Sequence, residues 1–428
     1  MTETATKAIS EQREIGYGAL LRNGPFLRLW IVQALSQTGQ NTINFALLIL
    51  VRDVVERHSL AQANTAVGLM VLAFSAPAIV FSPFAGVVIE RANKRTALVV
   101  TNALRGLAVL GFLVVQSDWR PLVALLALYL ITFTFGAVGQ FFGPALGAAM
   151  PALVPAGGIV RANALFNLTF TASQLAGFAV LGPFLIRALG VDSLLVGIVG
   201  VFVICTLLSL TIPSTPPAAV RGPTTAGRVH QFIGELREAA AFIFQHPILV
   251  KAISYLSLAT ASTLMLAVLG PQYVTDVLGF PTQDIAYLMA PAGAGVVVGG
   301  LFVARVASRY GQERTIDVGL TAGGVLLASL ALVEPVSSAL WSGDARRLAT
   351  MAIASVLAVL LGVANAVVLV PSQALLQSVS AEHVRARVYA AFFTVSNGVA
   401  FLPIIFAGAL ADMIGVAEVL TGLGVMVL

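Results

Sequence analysis

Long apolar stretches recur along this sequence, and they constrain the fold more than any other feature. Each stretch is rich in Leu, Ala, Val and Gly and lacks the alternation of polar and apolar residues that is typical of strands. The hydrocarbon core of a bilayer is about 30 Å thick, and a helix needs roughly 20 apolar residues to cross it. Only helices and closed barrels satisfy their backbone hydrogen bonds in lipid. The sequence therefore predicts an all-α membrane protein.

Composition agrees with this prediction, since 58% of residues are hydrophobic, 10% are charged and the mean hydropathy is +0.94. A soluble domain carries about 25% charged residues, so an ordinary soluble enzyme is excluded. The predicted full spans are 27–51, 65–89, 96–115, 121–144, 164–187, 191–212, 249–273, 285–307, 315–333, 348–371 and 388–411. A twelfth span begins near Val416 and is too short to cross a bilayer before Leu428, so we expect it to be truncated and the natural chain to be longer.

The positive charges predict the orientation of the chain in the membrane. With residues 1–20 as a cytoplasmic tail, seventeen of the 24 Lys and Arg residues fall in inner segments and six in outer ones. Inner loops of membrane proteins carry this excess, which places the N terminus in the cytoplasm. The pI of 9.7 then reflects topology and contact with anionic lipid. We expect no binding of nucleic acid.

A polar stripe runs along the first span. Its members are Gln33, Gln37, Gln40, Asn41 and Asn44, whose spacing places them on one face of a helix. Because an unpaired amide in an apolar medium costs about 1–3 kcal/mol, these side chains should not face lipid. Two interpretations remain open: the stripe lines a water-filled cavity that binds substrate, or it forms hydrogen bonds between helices.

Arg105 is the charged residue that lies deepest in a predicted span. It comes nine residues after Thr96, which places it some 13 Å into the membrane. A cation at this depth is a candidate site residue, although it also fits a structural role in which it binds backbone carbonyls. Further candidate substrate ligands are polar residues of the fifth, tenth and eleventh spans, namely Asn167, Thr171, Gln174, Asn365 and Asn397.

The loop after the second span contains Gly86, Glu90, Arg91, Lys94 and Arg95. Its pattern, G-x-x-x-[D/E]-R-x-x-[K/R]-R, resembles the signature loop of the major facilitator superfamily of secondary transporters. In this interpretation the glycine lets the second span approach the eleventh, and the acid lies near the positive N-terminal end of that helix. The three cations pair across the two halves or with lipid. We expect the loop to act as a gate.

The second half of the chain repeats the first. Residues 300–314 echo the loop, with Arg309 and Arg314 among their cations, and Arg385 stands in a segment that echoes 160–163. The sequence therefore predicts twelve helices in two pseudo-symmetric halves of six, with substrate bound at the midplane. The predicted domains are a tail (1–20), an N-terminal half (21–213), a linker (214–247) and a C-terminal half (248–428). Within the linker, 231–245 predicts an amphipathic helix that lies on the inner membrane surface or binds a partner.

Several stretches resemble one branch of that superfamily, the exporters of macrolides, enterobactin and multiple drugs. These are Phe26–Trp30, Val370–Gln377, Val384–Val388, Thr394–Gly398 and Ala407–Asp412. The resemblance implies export of drug-like or siderophore-like amphipathic molecules in exchange for protons, across a bacterial inner membrane.

Three departures weaken the inference of proton exchange. Gln40 and Asn41 stand where many proton-coupled relatives carry an acid, and no Arg lies within 129–140. The exporter motif of the fifth span has one residue too many between Gly177 and Gly182. Protons as the coupling ion therefore follow from the resemblance alone.

Two alternatives to an exporter remain: a translocator of lipids or lysophospholipids, and a receptor or scaffold that does not transport. The sequence contains no nucleophile motif, phosphate-binding loop or metal-ligand spacing, and its four histidines are scattered. We therefore expect no enzymatic activity, cofactor or metal. The expected partners are a small-molecule substrate, the lipid bilayer and protons, and we expect a monomer.

Overall fold

A computed structural model describes residues 16–60, 62–116, 118–214, 247–379 and 406–428, with positions 234, 237, 241 and 243–245 between them. All regular structure in these ranges is helical, which confirms the predicted fold class. The candidate residues Asn397 and Arg385 lie outside the described residues. So do most of the predicted linker, its amphipathic helix and the eleventh span.

The described part of the first half contains eight α-helices. They are α1 (Tyr17–Arg22), α2 (Gly24–Arg57), α3 (Ala63–Arg91), α4 (Lys94–Val114), α5 (Pro121–Leu153), α6 (Ile159–Gln174), α7 (Gly182–Leu189) and α8 (Val191–Leu210). A π-helix, Leu175–Leu181, joins α6 to α7, so that one helical span runs through all three. A short 3₁₀-helix, Ala156–Gly158, precedes α6.

The second half contains six further described α-helices. They are α9 (Pro247–Gln272), α10 (Ala286–Tyr310), α11 (Gln312–Leu330), α12 (Val333–Leu340), α13 (Gly343–Val379) and α14 (Val416–Val427). A π-helix, Tyr273–Val277, continues α9, and a 3₁₀-helix, Thr282–Ile285, precedes α10. Residues 406–414 are also helical.

Within the described ranges, seven helical segments are long and apolar enough to cross a membrane, and the bent pair α11 and α12 adds an eighth. Helix α2 is not among these eight segments. It is 34 residues long, but its stripe of amides makes it less apolar than the other long helices. A helix lies at each of the first ten predicted spans. Several are longer than predicted, among them α2, which covers Gly24–Arg57. Helix α5 continues through Pro144 and Pro151, and α13 continues through Pro371. These prolines do not end the helices.

By its internal contacts the chain divides into two compact units. The first comprises 1–47, 73–116 and 126–229, and the second comprises 48–72, 117–125 and 230–428. The division does not coincide with the two halves of the sequence, because the segments around the end of α2 and the start of α3 group with the second half.

Glycines let helices approach closely within the first unit. A methyl group at Gly136 of α5 would lie 2.6 Å from the carbonyl oxygen of Phe74 in α3, and one at Gly106 of α4 would lie 3.2 Å from Cβ of Phe202 in α8. The apolar core of this unit includes residues of α1 to α6 and of α8, with Phe26 and Phe142 fully buried.

The second unit repeats this packing. Gly295 of α10 and Gly362 of α13 each face the backbone of the other helix, at Val359 and Ala292. Gly324 of α11 and Gly424 of α14 also face each other across their helices. The pairs α3–α5 and α10–α13 occupy equivalent places in the two halves, as do α4–α8 and α11–α14. This correspondence supports the internal repeat.

Candidate functional site

The polar stripe lies on α2, and its N-terminal part bonds to α6. Gln33 is buried, and its Nε2 donates to the carbonyl oxygen of Phe166 at 2.9 Å. Trp30, one turn earlier, donates from Nε1 to Oγ1 of Thr169 at 2.8 Å. This end of the stripe therefore follows the interpretation of hydrogen bonding between helices.

Further along α2 the amides behave differently. Gln37, Gln40, Asn41 and Asn44 are half-buried, and Nδ2 of Asn41 donates within the helix to the carbonyl oxygen of Gln37 at 2.8 Å. Like Oε1 of Gln33, the side-chain oxygens of Gln37 and Asn44 are buried and have no hydrogen-bond partner among the described residues. A buried amide oxygen without a partner is destabilising by about 1–3 kcal/mol. This part of the stripe therefore offers unsatisfied acceptors.

Arg105 of α4 is a fully buried side chain, 1% exposed. Its Nη1 donates to Oγ of Ser36 in α2 at 3.0 Å, and Ser36 in turn donates to Oδ1 of Asn102 at 2.9 Å. Within the described ranges no acid forms an ion pair with Arg105, and its Nε has no hydrogen-bond partner. The guanidinium thus ties α4 to the middle of the polar stripe.

Aromatic rings and a glycine complete the surroundings of Arg105. Its Cζ lies 4.7 Å from the ring centre of Phe142 and 5.8 Å from that of Phe135, within the range of cation–π attraction. A methyl group at Gly139 would lie 2.9 Å from Nη2, so the glycine makes room for the guanidinium. A solute cannot reach Arg105 in this conformation, and direct contact with substrate stays a prediction.

In the fifth span Asn167 and Gln174 are exposed on α6, whereas the side chain of Thr171 is not among those described. The π-helix begins directly after Gln174. In the second half, Asn365 of α13 donates from Nδ2 to Oγ1 of Thr263 in α9 at 2.8 Å. The candidate amide of the tenth span thus bonds to the seventh.

The π-helix explains the extra residue between the two glycines of the fifth span. A methyl group at Gly177 would lie 2.6 Å from the carbonyl oxygen of Thr38 and 2.8 Å from Cβ of Asn41. One at Gly182 would lie 2.8 Å from Cβ of Phe45. Because a π-helix has more residues per turn than an α-helix, residues five apart lie close to one face. Both glycines therefore pack against α2 despite the longer spacing.

The loop between α3 and α4 is held together by its own side chains. Lys94 is 6% exposed, and its Nζ donates to the carbonyl oxygens of Glu90 at 2.9 Å and Ala92 at 3.1 Å. These carbonyls end α3, where a cation is favourable. Oδ1 of Asn93 accepts from the backbone N–H of Arg95 at 3.1 Å and so caps α4. Lys94 therefore caps α3, in contrast to the expected pairing across the halves or with lipid.

The other predicted gating residues lie nearer the surface. Glu90 and Arg91 are exposed, and Arg95 is half-buried. A methyl group at Gly86 would meet no described atom within 4 Å, and most of the eleventh span lies outside the described residues. The close approach of that span to Gly86 therefore stays a prediction.

In the echo of this loop Arg309 and Arg314 are also exposed. Cζ of Arg309 lies 5.7 Å from the ring centre of the adjacent Tyr310. Gly311, with φ of 89°, joins α10 to α11. Both turns therefore present cations at the ends of their helices.

One polar cluster was not predicted from the sequence. Oδ1 of Asp412 accepts from the backbone N–H and the side-chain Nδ2 of Asn64, each at 3.0 Å. Oδ2 accepts from the backbone N–H of Thr65 at 2.9 Å and from its Oγ1 at 2.6 Å. One feature could have indicated that α3 needs a capping group from elsewhere. The helix begins at Ala63, and the preceding residue, Gln62, is not one that commonly caps helices.

Comparison with known proteins agrees with the fold. The model of the Major Facilitator Superfamily matches residues 29–425. The multidrug efflux pump Tap of Mycobacterium bovis is 24% identical over 407 residues, which cover 92% of this chain and 88% of Tap. The MFS-type transporter YfiS of Bacillus subtilis is 23% identical over 359 residues, which cover 82% of this chain and 79% of YfiS.

A similar fold is found among solved structures. The crystal structure of the nucleoside transporter NupG superposes with a TM-score of 0.68 at 15% identity, covering 94% of this chain and 96% of NupG. The family match spans all but the ends of the chain, and the helices it covers are those that carry the polar stripe and the loop after α3. The chain therefore belongs to the major facilitator superfamily and is a multi-pass membrane transporter of small molecules, not an enzyme.

Proposed function

We propose that the protein exports amphipathic small molecules, drug-like or siderophore-like, by alternating access. The similarity to the efflux pump Tap over most of both chains supports the direction of transport. The observation that carries the proposal is the polar face of α2, where half-buried amides include oxygens without a partner among the described residues. A substrate with apolar surface and a few hydrogen-bond donors would suit such a face.

The substrate site in this proposal is built around the C-terminal part of the stripe. Gln37, Gln40, Asn41 and Asn44 hydrogen-bond the substrate directly. Arg105 acts indirectly, because its guanidinium is buried and donates a hydrogen bond to Ser36 of α2. The remaining proposed ligands of the site are Gln33, Asn167, Thr171, Gln174, Asn365 and Asn397.

The proposed gate lies at the predicted cytoplasmic ends of the helices. Its members are Gly86, Glu90, Arg91, Lys94, Arg95, Arg309, Arg314 and Arg385. In this proposal Lys94 acts by keeping the turn between α3 and α4 rigid, because it caps α3. The chain works as a monomer in the bacterial inner membrane with its N terminus inside, and protons are the coupling ion.

Transport of ethidium in proteoliposomes tests this function. We expect protein-dependent flux of the dye under an imposed pH gradient. Replacing Gln40 with Ala should slow it about 2- to 10-fold, the effect of one lost hydrogen bond. Thr206→Val is the matched control, because the Thr206 hydroxyl bonds within its own helix, to the carbonyl oxygen of Phe202 at 2.7 Å.

Three results would count against parts of the proposal. Flux equal to that of empty liposomes, for ethidium and for other amphipathic dyes, would refute export of such molecules. Flux unchanged by both Gln40→Ala and Arg105→Ala would refute the site. Transport that persists when nigericin collapses the pH gradient would remove proton coupling.

A lipid translocator is the second candidate, favoured by a groove of about 560 Å³ between α3, α4 and α5. Apart from three threonines its lining is apolar, and Val88, Val100 and Leu104 are each more than 40% exposed. Such a groove has the character needed to hold an acyl chain. Flux of a fluorescent lysophosphatidylethanolamine without flux of ethidium would favour this candidate over the exporter.

A further inference from the structure

The N terminus of α3 has no cap in its own sequence. The helix begins at Ala63, and the carbonyl oxygen of Gln62 accepts from the N–H of Ala66 at 3.0 Å, which makes Gln62 the capping position. The first backbone N–H groups of a helix have no acceptor within it. Ser, Thr, Asp or Asn commonly supplies that acceptor, but glutamine is not among the preferred residues. The N–H groups of Asn64 and Thr65 therefore need an acceptor from elsewhere.

Asp412 supplies this acceptor from 348 residues away in the chain. Each carboxylate oxygen accepts one backbone N–H and one side-chain donor, at distances from 2.6 to 3.0 Å. Both segments belong to the second compact unit. A carboxylate at this position is favourable for two reasons, because its bonds are charge-assisted and because it faces the positive end of the helix dipole.

Two neighbouring contacts hold the same region. A methyl group at Gly408 would lie 2.7 Å from the carbonyl oxygen of Asn64, so the helix that carries Asp412 touches the start of α3. Near the end of α2, Arg52 is 8% exposed, and its Nη2 donates to Oγ1 of Thr275 at 2.6 Å. The end of α2 and the start of α3 are thus each bonded to a residue of the second half.

We propose that Asp412 is a gating residue of the transport cycle, whose release from the N terminus of α3 opens the outer side of the transporter. Asn64 and Thr65 belong to the first half of the sequence and Asp412 to the second, at the end of α3 opposite the loop 91–93. Alternating access requires the halves to part on each side in turn, so these four hydrogen bonds break once per cycle. The inference rests on the alternating access of the proposed function.

Hydrogen exchange of the Asn64 and Thr65 amides tests the contact without any substrate. Both amides bond to Asp412 and to no acceptor within α3, so their protection reports how long the carboxylate stays in place. We expect Asp412→Asn to speed their exchange roughly tenfold, in line with the effect of losing an N-cap. Asp412→Glu should restore part of the protection. The control is Asp344→Asn, an exposed acid in the first turn of α13.

Cross-linking tests the role of the contact in transport. The chain has a single cysteine, Cys205, which is buried and is replaced by Ser in the test protein. Joining Thr65→Cys to Asp412→Cys with a short bifunctional thiol reagent should stop ethidium flux, and reduction should restore it. The uncross-linked double variant provides the reference rate.

Two results would overturn the inference. The first is exchange of the two amides that is the same in Asp412→Asn and the wild type. The second is ethidium flux that continues unchanged in the cross-linked protein. If Asp412→Asn fails to fold, Thr65→Val removes one of the four bonds and should still speed exchange at Asn64. Absence of dye flux in the wild type would refute the exporter, whereas the exchange experiment would still test the contact.

Discussion

Replacing Gly177 with Ala should destabilise the protein, although alanine is the better helix former. The new Cβ would lie 2.6 Å from the carbonyl oxygen of Thr38 and 2.8 Å from Cβ of Asn41. Neither atom can move away by side-chain rotation, so the π-helix and α2 must separate. Overpacking of this kind costs about 1–3 kcal/mol, and the higher helix propensity of alanine offsets about 0.5–1 kcal/mol. The net loss of stability should lie between about 0 and 2.5 kcal/mol, centred near 1 kcal/mol.

Thermal unfolding of the purified protein in detergent provides the measurement. Gly200 of α8 is the matched control, because a methyl group there would meet no described atom within 4 Å. Gly200→Ala should therefore raise the unfolding temperature slightly through helix propensity alone. Gly177→Ala should lower it, so the two substitutions are expected to act in opposite directions.

The same variant also tests the link between packing and transport. Separating the fifth span from α2 should displace the face that carries Asn41, so ethidium flux should fall together with stability. An unfolding temperature for Gly177→Ala equal to or above that of Gly200→Ala would refute the close packing of the π-helix on α2.

Three further substitutions test contacts seen in the structure. Lys94→Met should lower the unfolding temperature more than Lys94→Arg, since it leaves two carbonyls at the end of α3 without a donor; equal effects would contradict the capping role. Asn93→Ala should destabilise the protein by about 0.5–2 kcal/mol and speed hydrogen exchange at the Arg95 amide; unchanged exchange there would argue against the cap. Ser36→Ala should be less harmful in an Arg105→Met background than in the wild type, measured as a double-mutant cycle of unfolding; additive effects would show that the two side chains are not coupled.

Much of the fold was predictable because the bilayer imposes a local rule. A segment that crosses it must be apolar for about 20 residues and helical, so each described span could be located from its own residues. The helix ends were less predictable, since α5 continues through Pro144 and Pro151. Hydropathy reports where a helix lies in lipid, but it does not report how far the helix continues into water.

The candidate site was also predictable only in part. Periodicity placed five amides on one face of α2, but it could not tell that Nε2 of Gln33 donates to α6. Nor could it tell that the side-chain oxygens of Gln33, Gln37 and Asn44 have no partner among the described residues. The depth of Arg105 in its predicted span identified it as a candidate. It did not show that the side chain is buried and bonded to Ser36. Which neighbour a polar side chain meets depends on how helices are rotated and packed, and the hydropathy of one segment does not specify that.

The sequence by itself determined the helical membrane architecture, the internal repeat and the family, because these follow from local hydrophobicity and short motifs. Only the tertiary structure decided that Lys94 caps its own preceding helix, that a π-helix accommodates the spacing of Gly177 and Gly182, and that Asp412 caps α3. The physical reason is that backbone groups at helix ends must find partners wherever packing brings them. A partner 348 residues away leaves no pattern in the sequence around the helix it caps.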